Sequence, residues 1–192
     1  IQQWALHRYK SAYPSDYVAL VEARAILERL DPEKSRDSET LGLAGAIVQR
    51  LWGLSKDRAF LDQAIDFYRR GYGLRDDYYT GENFALCLEQ RSLTQPDANE
   101  RIFDQMLAGK VREKIVESLS EVVAESDFSE RSDAKWIYAT LANCLRALGQ
   151  DEKAQEFEER FRKEAEIDWE VKTYERAKGL ILEYKSMITA SG

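Results

Sequence analysis

Residues 136 to 161 read WIYATLANCLRALGQDEKAQEFEERF. Ile137, Leu141, Cys144, Leu145 and Leu148 recur at spacings of three and four, the period of a helix with one apolar face. Gly149 follows where a helix closes on a left-handed residue. Ala154, Phe157 and Phe161 then resume the same period in a second, more charged segment. Two amphipathic helices joined by so short a turn lie antiparallel, each stripe buried against its neighbour. The stretch predicts a helical hairpin.

The same period runs outward in both directions, and strand-like alternation is nearly absent. Going towards the N-terminus, a long helix is expected from Pro96-Asp97 to about Glu125, with Ile102, Phe103, Met106, Leu107, Val111, Ile115, Leu119 and Val122 in step. Before it come a helix carrying Phe84, Ala85 and Leu88, and one with Leu61, Ala64, Ile65, Tyr68 and Tyr72 on one face. A helix from about Ser38 to Gly53 bears Leu41, Ala44, Gly45, Val48, Leu51 and Trp52. Pro14-Ser15-Asp16 starts a helix that reaches Leu30 and is expected to be well buried through Tyr17, Leu20, Val21, Ile26, Leu27 and Leu30; Asp31-Pro32 stops it. A short helix covers Gln2 to Lys10. Beyond the opening stretch, Tyr174, Ala177, Ile181, Tyr184 and Ile188 mark one long stripe. It suits either a lid on an open end of the core or the start of a coiled coil.

Composition agrees with a helical chain. Of 192 residues, 44% are hydrophobic and 33% charged, with only three prolines to interrupt helices. The net charge of −7 disfavours a general nucleic-acid or anionic-membrane binder, since phosphates call for clustered Lys and Arg. No apolar run approaches the ~20 residues of a membrane span. Cys87 and Cys144 each fall in an apolar helical pattern and read as reduced core residues rather than a disulfide. The chain opens at Ile1 without a signal-peptide pattern, so further sequence is expected before it and a cytoplasmic setting is the default.

Self-similarity ties the helices together. Residues 136–161 resemble the tetratricopeptide repeat, a helix–turn–helix unit of ~34 residues. Leu141-Ala142 stands where that family has Leu-Gly, Leu145 where it has Tyr, Gly149 at the turn and Ala154 at the small residue of the second helix. Residues 40–76 resemble a second copy, with Ala44-Gly45, Ala64, Tyr68 and Gly71 in the corresponding places and SKDRAFLD enlarging its turn. Small residues there let helices approach closely. Phe84-Ala85 begins a third copy, and residues 2–32 agree with another, ending in Leu-Asp-Pro. The expected architecture is all-α: a right-handed α-solenoid of antiparallel hairpins, about nine helices in one domain over residues 1–192. The hairpins fall at about 2–32, 38–74, 78–126 and 132–165, with a capping helix at 168–189.

A narrower resemblance covers roughly residues 36–90. Glu39 to Gly45, then Ala64 to Gly71, then Tyr79, Gly81 and Asn83 look like the tetratricopeptide-type TRAFs-binding region of apoptosis signal-regulating kinases and its bacterial relatives. That resemblance implies a non-catalytic regulatory or protein-binding solenoid. No kinase signature accompanies it.

Catalytic chemistry has little to build on. His7 is the only histidine, which removes two-histidine metal sites. No GxSxG, GxxxxGK[ST] or GxGxxG occurs. Glu158-Glu159 and the Glu164/Glu166 pair lie among lysines and arginines and read as a solvated face. No catalytic residue, metal ligand or cofactor is expected. One enzymatic alternative stays open, an all-α fragment holding a divalent ion with Asp76, Asp77, Tyr79 and Glu82.

Binding fits the pattern better. In such solenoids the first helix of each hairpin lines the concave face. The register then turns Gln49 and Arg50, Glu82, Asn83 and Glu89, and Trp136, Asn143 and Arg146 towards a partner. An asparagine there can hold a peptide backbone with both its donor and its acceptor. Asn83 matches an asparagine with which chaperone-binding repeats hold a terminal carboxylate. Glu82 beside it, where those repeats gather cations, argues against a clamp for acidic tails. The partner expected is a protein, a peptide or another domain of the same chain, with self-association a further possibility.

Overall fold

The computed structural model of the chain describes residues 1–75 and 77–190, Arg75 by its backbone alone. Among them are nine α-helices, two short 3-10 turns and no strand. The helices are α1 (Gln2–Ser11), α2 (Asp16–Leu27), α3 (Ser38–Ser55), α4 (Arg58–Arg75), α5 (Tyr78–Ser92), α6 (Ala98–Val123), α7 (Ala134–Ala147), α8 (Asp151–Glu164) and α9 (Asp168–Ala190). The chain forms two compact units, Ile1–Cys87 and Leu88–Gly192, whose boundary falls inside α5.

In the first unit every helix after α1 starts on a side chain that accepts the amide protons its own first turn cannot use. Ser15 Oγ receives Val18 N–H, Asp37 receives Thr40 N–H at 2.9 Å and the Thr40 hydroxyl at 2.7 Å, and Asp77 receives the Tyr79 and Thr80 amides. Gln2 reaches across to Asp37 and Thr40, which pins α1 to the start of α3. The central helix α3 is covered almost all round and buries Leu41, Ala44, Ile47, Val48 and Leu51. Helix α4 packs along it through Leu61, Ala64, Ile65, Phe67 and Tyr68.

Helix α2 is less buried than its composition implies. Ala19, Leu20, Ala23 and Leu27 face the core. Tyr17 and Val21 stay exposed at 53% and 42%, because they lie on the opposite side of the helix at 100° per residue. Its last turn tightens into a 3-10 turn, Glu28–Leu30, and Asp31 ends it in the left-handed region.

Three glycine contacts set the spacing of this unit. A Cβ on Gly45 would stand 2.8 Å from the Tyr68 ring, one on Gly71 2.9 Å from Thr80 Cγ2, and one on Gly42 3.2 Å from the Tyr79 ring. Gly45 and Gly71, two of the small residues that the repeat register singles out, are thus sites of close approach.

In the second unit α7 and α8 form the expected hairpin, and α9 lies against α7. Gly149 closes α7 at φ +78°, with Gly149 N–H on the Arg146 carbonyl and Gln150 N–H on that of Leu145. Ala139, Ala142, Phe161 and Tyr174 form the core between these helices, with Trp136, Tyr138 and Phe157 packed around it. The α9 stripe buries Tyr174, Ile181 and Tyr184 but leaves Ile188 exposed. Helix α6 buries Ala108, Val111, Ile115 and Leu119, whereas Ile102, Phe103 and Met106 of its first turns are exposed at 52%, 56% and 64%.

Candidate functional site

The first unit gathers a polar network in an otherwise apolar stretch. In LAGAIVQRLW the only polar residues are Gln49 and Arg50, one turn before the end of α3. Gln49 is 5% exposed, and its Oε1 accepts the Tyr68 hydroxyl at 3.3 Å. Its Nε2 is buried with no acceptor in reach. Arg50, half-buried, sets its guanidinium 4.7 Å from the centre of the Tyr9 ring, a cation–π contact.

Tyr79 completes the network from α5. Its ring lies on Gly42. The side chain as a whole keeps 47% of its surface exposed, yet its hydroxyl end turns inward to Tyr68, near Tyr9 and Arg50. Burial of that hydroxyl, reinforced by Tyr9, pushes the phenol up to about 12. Lys10 follows Tyr9 on α1, and its ammonium is held below its ordinary value by burial and then by repulsion from Arg50. Asn83, one turn on from Tyr79, donates to the Tyr79 carbonyl at 2.8 Å. Glu82 beside it is half-buried.

The residues that the register turns towards a partner therefore fall in two groups. Gln49, Arg50, Glu82 and Asn83 belong to the first unit, and Arg50, Glu82 and Asn83 keep part of their surface in solvent. Glu89, Trp136, Asn143 and Arg146 belong to the second, where intramolecular contacts occupy most of them. Glu89 is 4% exposed and grips Arg112 through two bonds of 3.0 and 2.7 Å. Asn143 is buried at 2%. Trp136 packs on Phe161 and Trp169, each 5.9 Å away between ring centroids. Arg146 donates to Glu158 at 2.6 Å.

Glu158 is the hub of the second unit. Burial pushes its carboxyl up, but hydrogen bonds from Lys178, Arg162 and Tyr174 outweigh this and hold it at about 2. The Tyr174 phenol is raised in turn, by burial first and then by that carboxylate. The pair Glu158-Glu159 thus does not form one solvated face: Glu158 is 8% exposed and Glu159 points outward.

Of the residues of the enzymatic alternative, Tyr79 and Glu82 lie on α5. Asp77 caps α5, and Asp76 lies outside the described residues. No group of three or more His, Cys, Asp or Glu side chains that could hold a metal ion occurs among the described residues.

Sequence reasoning missed Tyr9, Tyr68 and Tyr79 as partners of Gln49 and Arg50. The signal was the Gln-Arg pair itself, two polar residues in the most buried helix of the unit.

Helical hairpins held together at glycine contacts define the first unit as an α-helical repeat. Residues 1–88 match the family described as Tetratricopeptide Repeats-Sensor, so this part of the chain is similar to tetratricopeptide repeats. No curated protein and no solved structure matches the chain.

Proposed function

We propose that the chain is a non-catalytic interaction domain of the tetratricopeptide class, and that its first unit presents Arg50, Glu82 and Asn83 to a protein or peptide partner. The observation that carries this reading is the position of these three side chains. They lie on α3 and α5 of the unit that the family model matches, polar and part-exposed, beside the half-exposed Tyr79. Tyrosine, arginine and asparagine in such a setting combine a rigid apolar face with adaptable hydrogen bonding.

A regulatory role, with the partner either separate or another domain of the same chain, is part of the proposal. It is supported by the word sensor in the family's description and by the resemblance to the TRAFs-binding region. A reducing, cytoplasmic setting belongs to it as well, since Cys87 and Cys144 are buried thiols. Of the second unit's residues, Arg146 and Glu89 serve the fold in this reading, through Glu158 and Arg112.

The test is affinity capture on the immobilised chain, followed by mass spectrometry, with Glu82→Lys/Asn83→Ala as the comparison. The variant is expected to lose the specifically captured partner while its melting temperature stays at the wild-type value. Equal capture by a folded variant overturns the assignment of this face.

A further inference from the structure

Between the end of α2, α3 and α4 the first unit holds a cavity of about 240 Å³. Its apolar lining is Leu27, Pro32, Ala44, Ile47, Val48 and Phe67, all of them buried. Such walls give water few hydrogen-bond partners, so an apolar body displaces it favourably. Apolar cavities of about 150 Å³ hold a benzene molecule, and drug-sized ligands fill clefts of about 300 Å³ and more. A volume between the two suits one ring with a short side chain.

Four charged residues, Arg24, Glu28, Asp31 and Glu33, complete the lining. They are part-exposed or exposed, so they mark the mouth. Arg24 pairs with Glu28 at 3.5 Å, and Asp31 with Lys34 at 3.0 Å. The Glu33 carboxylate has neither an ion pair nor a hydrogen bond among the described residues. Arg70, which also reaches this turn, is held by the Pro32 and Ser35 carbonyls and by Asp66. One carboxylate is left over at the mouth. In addition α2 and its 3-10 turn end here, and the partial negative charge of a helix C-terminus favours a cation.

We propose that this cavity binds a small apolar monoamine, its ring against Ile47, Val48 and Phe67 and its ammonium at Glu33 beside the end of α2. The mouth separates such a site from a protein-docking groove. No exposed apolar residue lines it, so the apolar surface does not continue outward as a protein interface requires. The cavity shares no residue with Arg50, Glu82 and Asn83 and goes beyond the partner-binding reading.

The experiment is a titration of the methyl-labelled chain with phenylethylammonium at constant ionic strength, following the Leu27, Ile47 and Val48 methyl groups by NMR. Saturable shifts at these methyls are expected. Shifts that are linear in amine, or spread over methyls throughout the chain, overturn the site. Phenylpropionate, a similar ring compound of opposite charge, should bind about tenfold more weakly; equal affinity overturns the cation. Ethylammonium, which keeps the charge without the ring, should not saturate, and saturation at the same concentration overturns the apolar contact. Glu33→Gln, at an exposed position, should weaken amine binding about fivefold with the melting temperature unchanged. An unchanged affinity overturns Glu33 as the partner of the ammonium. A phenylalanyl peptide presents a similar ring and charge at a free N-terminus, and tighter binding of it overturns the small-molecule occupant in favour of a protein one. The Glu82→Lys/Asn83→Ala variant should keep the amine response, so loss of partner capture and loss of amine binding are read separately.

Discussion

Adding one methyl group at Gly45 would place a carbon 2.8 Å from the Tyr68 ring, against a side chain that is itself fully buried. Tyr68 cannot move aside without giving up its bond to Gln49. Gly45→Ala is therefore expected to destabilise the first unit by about 1–3 kcal/mol, an overpacking cost, measured by chemical denaturation. Gly53 supplies the control in the same helix. Nothing lies within 4 Å of its added Cβ, and Gly53→Ala should be neutral or stabilise by up to about 1 kcal/mol. The register pointed to Gly45 and Gly71 because repeats place small residues where helices touch. It did not supply their partners, Tyr68 and Thr80, because those follow from a packing that only the folded chain sets.

Another residue-scale expectation concerns Arg112, which is 1% exposed and paired to Glu89 inside the second unit. Arg112→Met leaves a buried carboxylate uncompensated and is expected to cost about 3–5 kcal/mol. The double change Glu89→Leu/Arg112→Met removes both charges and should recover most of that loss. A double variant no more stable than the single would mean that the pair's packing, not its charge, is what matters. Sequence alone placed Glu89 on an accessible face. A helix wheel says which side a residue is on, not which long side chain from a neighbouring helix will come to meet it.

At the scale of elements, one carboxylate gathers two of the polar contacts that dock α9. Lys178 and Tyr174 of α9 both bond to Glu158 of α8, and Lys185 reaches the Arg146 carbonyl at the end of α7. A carboxyl held at about 2 instead of 4.5 contributes about 3 kcal/mol at neutral pH. Because the folded value lies below the unfolded one, that contribution is complete above about pH 5. It fades as the pH falls towards 2. Thermal melts across this window should show a fall in stability that Glu158→Gln largely removes, the variant being less stable at pH 7 and flatter below. An unchanged slope in the variant would mean that other carboxylates carry the acid response.

Helix boundaries were legible in the sequence, since Ser15, Asp37, Asp97 and Gly149 carry the cap chemistry in their own side chains or backbone. Burial was less so. On α6 the apolar period runs unbroken from Ile102 to Val122, yet only its later turns are covered within the second unit. Periodicity shows that a face exists; coverage depends on what packs over it.

For the molecule as a whole, a binding domain and a metal-dependent enzyme differ in their response to ions. A thermal-shift screen with Mg²⁺, Mn²⁺ and Ca²⁺ should leave the melting temperature unchanged. A saturating rise would restore the carboxylate reading of the stretch around Asp77 and Glu82, because a ligand that binds the folded state raises stability by mass action. Hairpin order and fold class were within reach of the sequence because they depend on spacing alone. The network around Gln49 was not. Tyr9, Gln49, Tyr68 and Tyr79 are drawn from four helices and share no local pattern.

Cys87 and Cys144 are each 0% exposed, and one falls in each unit. Buried thiols are inert to a soluble labelling reagent until the structure around them opens. The native chain thus contains two internal clocks. The rate at which each cysteine takes up a maleimide, resolved by peptide mapping, would time the opening of its own unit. It would also leave the surface chemically silent, so that a single cysteine introduced there for a fluorophore would stand without background.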